Sequence, residues 1–153
     1  KAKAYQNICN MITISIDDNL YFEDLEEDKQ PGTNVRRVNG KRLNDEEMLK
    51  HYTNLVKEYG RNGERLNAVW VKGVAIYDGK NIITSSFKRN KIYFTNTPSK
   101  IVHEGYPLDS ISFVEKYNKY ISELNKEELS NYKNEEGNND IFNFIIDTLN
   151  KIE

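Results

Sequence analysis

The chain has 153 residues, the size of one ordinary domain, and its 22 lysines and arginines and 24 acidic residues leave a formal net charge of −2. This balance provides no overall positive field for a nucleic-acid polymer, and no apolar run approaches the roughly 18 residues that a membrane-spanning helix needs. We therefore expect one cytoplasmic domain without a nucleic-acid polymer or a membrane as partner, in which a few local cations could still bind a small phosphorylated ligand.

The first predicted element is a helix at the start of the chain, because Tyr5, Ile8 and Cys9 share one helical face. This helix begins at Lys1 without a capping residue, so we expect that further residues precede it. Cys9 is the only cysteine and cannot form an internal disulfide. We expect a buried and inert thiol.

Residues 11–25 are the stretch around which we expect the chain to be organised. Apolar and small polar residues alternate up to Ile16 and then meet two adjacent acids, Asp17 and Asp18. The alternation predicts a half-buried strand that ends at these carboxylates. Acids at a strand end suit a divalent metal or a general base that activates water. The alternative is a solvated turn, since Asp-Asp-Asn is ordinary turn chemistry.

A charged loop closed by Pro31-Gly32 separates this strand from the clearest helix signal in the sequence. Asn44 and Glu47 have the spacing of a capping box, which predicts that a helix begins there and runs to about Tyr59. Gly60 is placed to end it in a left-handed cap.

Three strands are predicted in the middle of the chain, at residues 66–77, 82–87 and 91–95. The first is almost continuously apolar, which is typical of a central strand, and Asp78-Gly79 marks a hairpin turn to the second. Because only short connections separate them, we expect the three strands to form a meander.

The segment at residues 100–111 places reactive side chains around a glycine and a proline, and it is either a functional loop or an ordinary surface loop. Beyond it, Asn125 followed by acids predicts a helix start, and residues 140–152 predict a terminal amphipathic helix after a polar break at residues 134–139.

Taken in order, these segments resemble the inosine triphosphate pyrophosphatase family. The similarity covers nearly the whole chain, but each motif is weakened. Five segments carry it. Lys1-Ala2 is similar to the family's helix ending in Lys-Ala, and Asp17-Asp18-Asn19-Leu20 is similar to its Asp-Asp-Ser-Gly-Leu strand end. Residues 31–37 are similar to its Pro-Gly-(aromatic)-Ser-Ala-Arg segment, Gly105-Tyr106-Pro107 to its Gly-Tyr-Asp-Pro base-pocket loop, and residues 123–128 to its Glu-Leu-(Ser/Thr)-x-Glu-Glu segment.

The resemblance implies an α/β fold with a mixed, twisted sheet and flanking helices, an architecture similar to Maf proteins and anticodon-binding domains. It also implies an elongated homodimer. The expected organisation is a single domain over residues 1–153 that lacks the family's N-terminal strand and its Thr-Gly-Asn-x-x-Lys phosphate loop, so that the chain is an N-terminally truncated member.

The resemblance further implies Mg²⁺-dependent hydrolysis of ITP, dITP or XTP to the nucleoside monophosphate and pyrophosphate. Asp18 would bind Mg²⁺ or activate the attacking water, Asp17 would support it as a second metal ligand, and Lys1 would neutralise phosphate charge. The implied substrate-binding residues are Asn19, Arg37, Gly105, Tyr106 and Asp109.

Several departures from the family pattern leave a second interpretation open. Asn19 replaces the family's substrate-binding Ser, Leu129 stands where the family has Lys, and no Ser-His-Arg triplet follows Ser130. The alternative is a degenerate or truncated member that binds a nucleotide or a protein partner without turnover. A third possibility is an acidic interaction module with no ligand.

Overall fold

The computed structural model describes residues 1–89, 91–135 and 138–152. In this part of the chain there are four helices: α1 (Ala2–Cys9), α2 (Asp45–Tyr59), α3 (Lys126–Glu135) and α4 (Asn138–Ile152). The strands are β1 (Thr13–Phe22), β2 (Arg37–Val38), β3 (Lys41–Arg42), β4 (Arg65–Tyr77), β5 (Ile82–Lys88), β6 (Ile92–Thr95), β7 (Ser112–Val114) and β8 (Lys119–Tyr120). No helix among these residues is both long and apolar enough to cross a membrane.

The main sheet is organised around β4, which pairs with β1 along one side and with β5 and β6 along the other. The order of the sheet is β1-β4-β6-β7-β8, and β2 and β3 form a separate two-stranded hairpin. β1 and β4 are antiparallel from Thr13 opposite Tyr77 to Phe22 opposite Ala68. β4 therefore occupies the central position that its apolar sequence predicts.

The predicted meander of three strands is wrong. β5 pairs with the second half of β4, whereas β6 pairs with the first half of β4 and not with β5. The register against β4 shifts by one residue between the two, from Val71 opposite Lys88 to Ala68 opposite Ile92. β5 and β6 therefore lie one after the other along the same side of β4.

The expected α/β fold with helices flanking a sheet is confirmed. α2 packs against β4 and β6, while α4 packs against β4 and β5. All strand pairs in the described residues are antiparallel, so this part of the sheet is not mixed in direction as expected. The physical reason is that the short turns from β4 to β5 and from β7 to β8 reverse the chain, and that the longer connections from β1 to β4 and from β6 to β7 also return it in the opposite direction.

The core lies between α2 and the face of the sheet from which Leu20 and Phe22 project. Tyr52 of α2 packs against Phe22 and Phe94, whose rings meet edge to face with centroids 5.3 Å apart. The Tyr52 hydroxyl donates to the Val35 carbonyl at 2.9 Å. Burial raises the pKa of Tyr52, so the phenol stays neutral and keeps this donor.

Of the predictions for the helices, some are confirmed and others are wrong. Both hydrogen bonds of the capping box are present, and α2 ends at Tyr59 as expected, but Gly60 is extended with φ −73° and ψ 154° rather than left-handed. α1 exists, yet its predicted apolar face is wrong, because Ile8 and Cys9 are exposed and Ala2 is its buried residue. The predicted polar break at residues 134–139 falls partly on residues 136 and 137, which lie outside the described residues.

The strand end predicted at the acidic pair is also wrong. β1 continues through Asp17 and Asp18 to Phe22, because β4 offers paired partners along its whole length. The two carboxylates therefore lie in the middle of a ten-residue strand. The same pairing rules out the alternative of a solvated turn at this position.

Replacement of Phe94 by alanine is expected to lower the free energy of unfolding by about 3–5 kcal/mol, because a fully buried ring leaves a cavity. Urea denaturation measures this loss. The matched control is Phe142→Ala on α4, where the ring is 63% exposed and the expected change is within about 0.5 kcal/mol. Equal losses at the two positions would contradict this assignment of the core.

Asn44→Ala is expected to destabilise the fold by about 1 kcal/mol, because the Asn44 side chain accepts a hydrogen bond from the Glu47 N–H at 2.8 Å. Asn54→Ala makes the same substitution at an exposed position inside α2 and should be neutral or slightly stabilising, since alanine has the higher helix propensity. The comparison of midpoints of thermal unfolding checks both. The assignment of the cap fails if Asn44→Ala is no more harmful than Asn54→Ala.

Candidate functional site

A cleft of about 540 Å³ opens on the face of the sheet beside the core. Ile16, Asp17 and Asp18 of β1 line it, together with Trp70 of β4 and Arg89, which follows β5. A sheet holds these backbone positions rigidly, so the acidic pair occupies a fixed place in the wall of the cleft.

Met48 of α2 and Ile121 also line the cleft, and three further segments, distant in sequence, complete its walls. The residues that they contribute are Thr33, Val35 and Arg36 from the segment after β1; Gly105, Tyr106, Pro107, Leu108 and Asp109 from the loop before β7; and Leu129, Tyr132 and Lys133 from α3. Leu108 and Tyr132 are also members of the core, so the base of the cleft is continuous with it. The mouth of the cleft combines acidic, cationic and aromatic side chains.

The two acids project to opposite faces of the sheet, because successive side chains alternate along a strand. Asp18 shares the face of the buried Leu20 and lies directly opposite Lys72 of β4. Residues directly opposite in an antiparallel pair carry their side chains on one face, so Lys72 is a cationic neighbour of Asp18. Asp17 lies opposite Gly73, which has no side chain on that face.

Lys1 lies close to the acidic pair although it is not part of the cleft wall. Its Nζ donates to the carbonyl oxygen of Ile16 at 3.4 Å, which places an ammonium group one residue from Asp17. α1 and β1 pack side by side and hold this arrangement.

Arg36, Asp45 and Gly105 form a closed set of hydrogen bonds at the mouth of the cleft, which we call the Gly105 clamp. Arg36 Nη1 donates to Asp45 Oδ1 at 2.7 Å, and Arg36 Nη2 donates to the Gly105 carbonyl at 3.1 Å. The Gly105 N–H donates to Asp45 Oδ2 at 2.6 Å. The clamp joins the loop before β7 to the first turn of α2.

The clamp holds the pKa of Asp45 below its usual value, first through the hydrogen bond from Arg36 and then through the one from the Gly105 N–H. A lowered carboxyl pKa means that the interaction stabilises the folded state above the ordinary pKa of aspartate. It is lost as the pH falls through the lowered value. The Asp45 carboxylate is therefore charged at neutral pH.

Five of the eight site residues predicted from the sequence line this one cleft: Asp17, Asp18, Gly105, Tyr106 and Asp109. Lys1, Asn19 and Arg37 are outside its wall. Asn19 donates from Nδ2 to the Val71 carbonyl of β4 at 3.1 Å. Arg37 is exposed on the β2–β3 hairpin, and its neighbour Arg36 lines the cleft instead.

Four charged or aromatic residues of the cleft were not predicted from the sequence: Arg36, Trp70, Arg89 and Lys133. A signal existed for Lys133, which lies one helical turn beyond Leu129 and therefore on the same face of α3. Trp70 could be placed only from the register of β4, which sets it opposite Leu20. Arg89 follows a strand whose pairing was mispredicted, and the sequence carries no other signal for it.

The cleft suits a Mg²⁺ ion bound through one of the two acids and does not provide a preformed site built from several protein ligands. In the described ranges no group of three or more His, Cys, Asp or Glu side chains could hold a metal ion. Mg²⁺ often binds through only one or two carboxylates plus substrate phosphates and water. The Asp18 side chain is exposed on the face of the cleft, so its carboxylate oxygens suit that mode of binding. Asp17 projects to the opposite face and is not placed to bind the same ion.

A second, more open groove of about 580 Å³ lies along the segment after β1. Tyr21, Gln30 and Pro31 line it, and Glu27 is its one charged lining residue among those described. The Gln30 side chain is committed to the backbone of Phe22 and Leu25 through three hydrogen bonds. This groove lacks the paired acids and cations of the first cleft, which is therefore the candidate site.

Comparison with known sequences finds neither a protein-family model nor a curated protein that matches the chain. Solved structures do match. A HAM1 protein from Coxiella burnetii superposes with a TM-score of 0.66 at 17% identity, over 83% of this chain and 62% of that one. The Ham1 protein of Staphylococcus aureus gives a TM-score of 0.64 at 18% identity, over 99% of this chain and 73% of that one.

A nucleoside-triphosphatase described as a dITP/XTP pyrophosphatase, from Mycobacterium abscessus, superposes with a TM-score of 0.67 at 16% identity. The match covers 87% of this chain and 67% of the other. The chain thus spans about two thirds of the length of these neighbours. It has the fold of the Ham1 and dITP/XTP pyrophosphatase structures, and the family resemblance seen in its sequence is confirmed at the level of the fold.

Proposed function

We propose that the chain is a nucleoside triphosphate pyrophosphatase that hydrolyses ITP, dITP or XTP to the nucleoside monophosphate and pyrophosphate. The observation that carries the proposal is the convergence, in one cleft, of Asp18, the cationic side chains of Arg89 and Lys133 and the loop that bears Tyr106. The shared fold with a dITP/XTP pyrophosphatase supports the same reaction class.

The charges of the cleft suit a triphosphate. Arg89 and Lys133 come from two different segments, so they can contact a polyanion from two sides, while the Arg36 guanidinium is engaged by Asp45 and Gly105. Cations placed in this way would also stabilise the negative charge that develops on the phosphorus oxygens as water attacks. A chain with a net charge of −2 can therefore still contain a local site for a polyanion.

The proposed chemistry assigns Asp18 the role of general base. Water attacks the α-phosphorus, its proton passes to the Asp18 carboxylate, and the bond between the α-phosphorus and the bridging oxygen breaks to release pyrophosphate. Tyr106 at the rim would stack on the purine.

We propose Mg²⁺ as the cofactor, held by Asp18 together with phosphate oxygens of the substrate. When bound, the ion would neutralise phosphate charge and help to align the reacting groups. The homodimer implied by the family resemblance stays a prediction, which analytical ultracentrifugation of the purified chain would test.

A second candidate function is nucleotide binding without turnover. It is favoured by Asn19, which stands at the position of a substrate-binding residue in the resembled family but donates its amide to the Val71 carbonyl. A side chain committed to the neighbouring strand is not oriented toward a substrate in the cleft.

The decisive experiment measures pyrophosphate release from ITP, dITP, XTP, ATP and GTP, with Mg²⁺ and then with EDTA. We expect release that favours the inosine and xanthosine nucleotides and stops when the metal is removed. Asp18→Asn should lower the rate by at least about 100-fold, because general base catalysis typically contributes 10²–10⁴. The control Asp24→Asn removes an exposed acid outside the cleft and should retain full activity.

Binding is followed separately through the fluorescence of Trp70, the single tryptophan, which lines the cleft. Nucleotide-dependent fluorescence without any pyrophosphate release would exclude the enzyme and support the second candidate. A chain that neither binds nor hydrolyses any of the five nucleotides would contradict both.

A further inference from the structure

The Gly105 clamp specifies the orientation of one peptide in the loop before β7. Its ion pair binds both polar groups of the same residue, since Asp45 accepts from the Gly105 N–H and Arg36 donates to the Gly105 carbonyl. The rigid fork of a guanidinium and the two oxygens of a carboxylate suit this bridging geometry. The clamp also spans 60 residues of sequence between Asp45 and Gly105.

Packing does not fix the exposed part of the loop at Gly105 and Tyr106. A Cβ added to Gly105 would meet no atom within 4 Å, and the neighbouring Tyr106 is 69% exposed. Gly105 has a φ of +81° in a turn that the Tyr106 N–H closes on the His103 carbonyl at 3.0 Å. The turn sets the local shape and the buried Pro107 and Leu108 anchor the segment that follows, so the clamp is what orients the exposed Gly105 peptide and the Tyr106 side chain next to it.

We propose that Arg36 and Asp45 are positioning residues that hold Tyr106 over the cleft and thereby set its affinity for the base of a nucleoside triphosphate. The inference rests on the proposed function, and it divides the cleft into two parts. The clamp acts on the part that recognises the base. Asp18, Arg89 and Lys133, which lie on other elements, act on the phosphates.

Asp45 is the residue through which the inference is best tested, because it belongs to the clamp but not to the wall of the cleft. In Asp45→Asn one oxygen can still accept from Arg36, but the amide nitrogen cannot accept from the Gly105 N–H. Glu46→Gln is the matched control. It removes the same charge from the first turn of α2, and Glu46 is exposed and takes no part in the clamp.

The experiment measures the dissociation constants of ITP and of inorganic tripolyphosphate, which has no base, from Trp70 fluorescence in the presence of Mg²⁺. For Asp45→Asn we expect ITP binding to weaken about tenfold or more, since stacking of a base on an aromatic ring is a substantial part of nucleotide affinity. Tripolyphosphate binding should be unchanged. Glu46→Gln should bind both ligands as the unsubstituted chain does.

The possible results separate the inference from the proposed function. Weakening of both ligands to the same degree, or of neither, would overturn the positioning role while leaving the proposed function in place. Failure of the unsubstituted chain to bind either ligand would overturn both.

Arg36→Lys in combination with Asp45→Asn provides a further check, because residues of one clamp should give less than additive losses in ITP affinity. Additive losses would contradict a shared clamp.

Discussion

The pairing of β1 with β4 is the constraint on which the rest of the structure depends. Ten residues of β1 lie opposite β4, and the period of two along a strand links every side chain on one face. The register that buries Leu20 and Phe22 against α2 also turns Asp18 to the same face, where the cleft begins. A slip by one residue would move the core residues and the acid together. The same register therefore determines both the burial of the core residues and the position of the Asp18 carboxylate.

The cleft inherits its shape from the core beneath it. Met48, Leu108 and Tyr132 are buried core residues and also line the cleft, so the distance between its walls is determined by close packing. The mouth of the cleft is held by hydrogen bonds instead of close packing. There the Gly105 clamp joins exposed backbone to the start of α2 through charge-assisted hydrogen bonds. A rigid base and a hydrogen-bonded rim are a suitable arrangement for a ligand with one charged end and one flat aromatic end.

The charge pattern of the cleft explains how an acidic chain could bind a polyanion. The total charge is −2, yet Arg36, Arg89 and Lys133 reach one cleft from separate segments. Electrostatic attraction at short range depends on these local groups more than on the total, because distant exposed charges are screened by salt. The same cleft also contains carboxylates, which suits a metal that bridges protein and phosphate.

Local signals in the sequence determined the four α-helices, four of the eight strands in the described residues and the acidic pair. The capping box at Asn44 and Glu47 is a contact between residues three apart, and the alternation up to Ile16 reports a strand directly. The cluster of glycine, proline and reactive side chains at Gly105 and Tyr106 left the choice between a functional loop and an ordinary surface loop open, and the structure places this loop in the wall of the cleft. Only the tertiary structure decided that β1 runs through Asp18, that β5 and β6 share one side of β4, and that Arg36 faces the cleft while Arg37 does not. These features depend on pairing between residues tens of positions apart, and a local pattern contains no information about which distant edge a strand will meet.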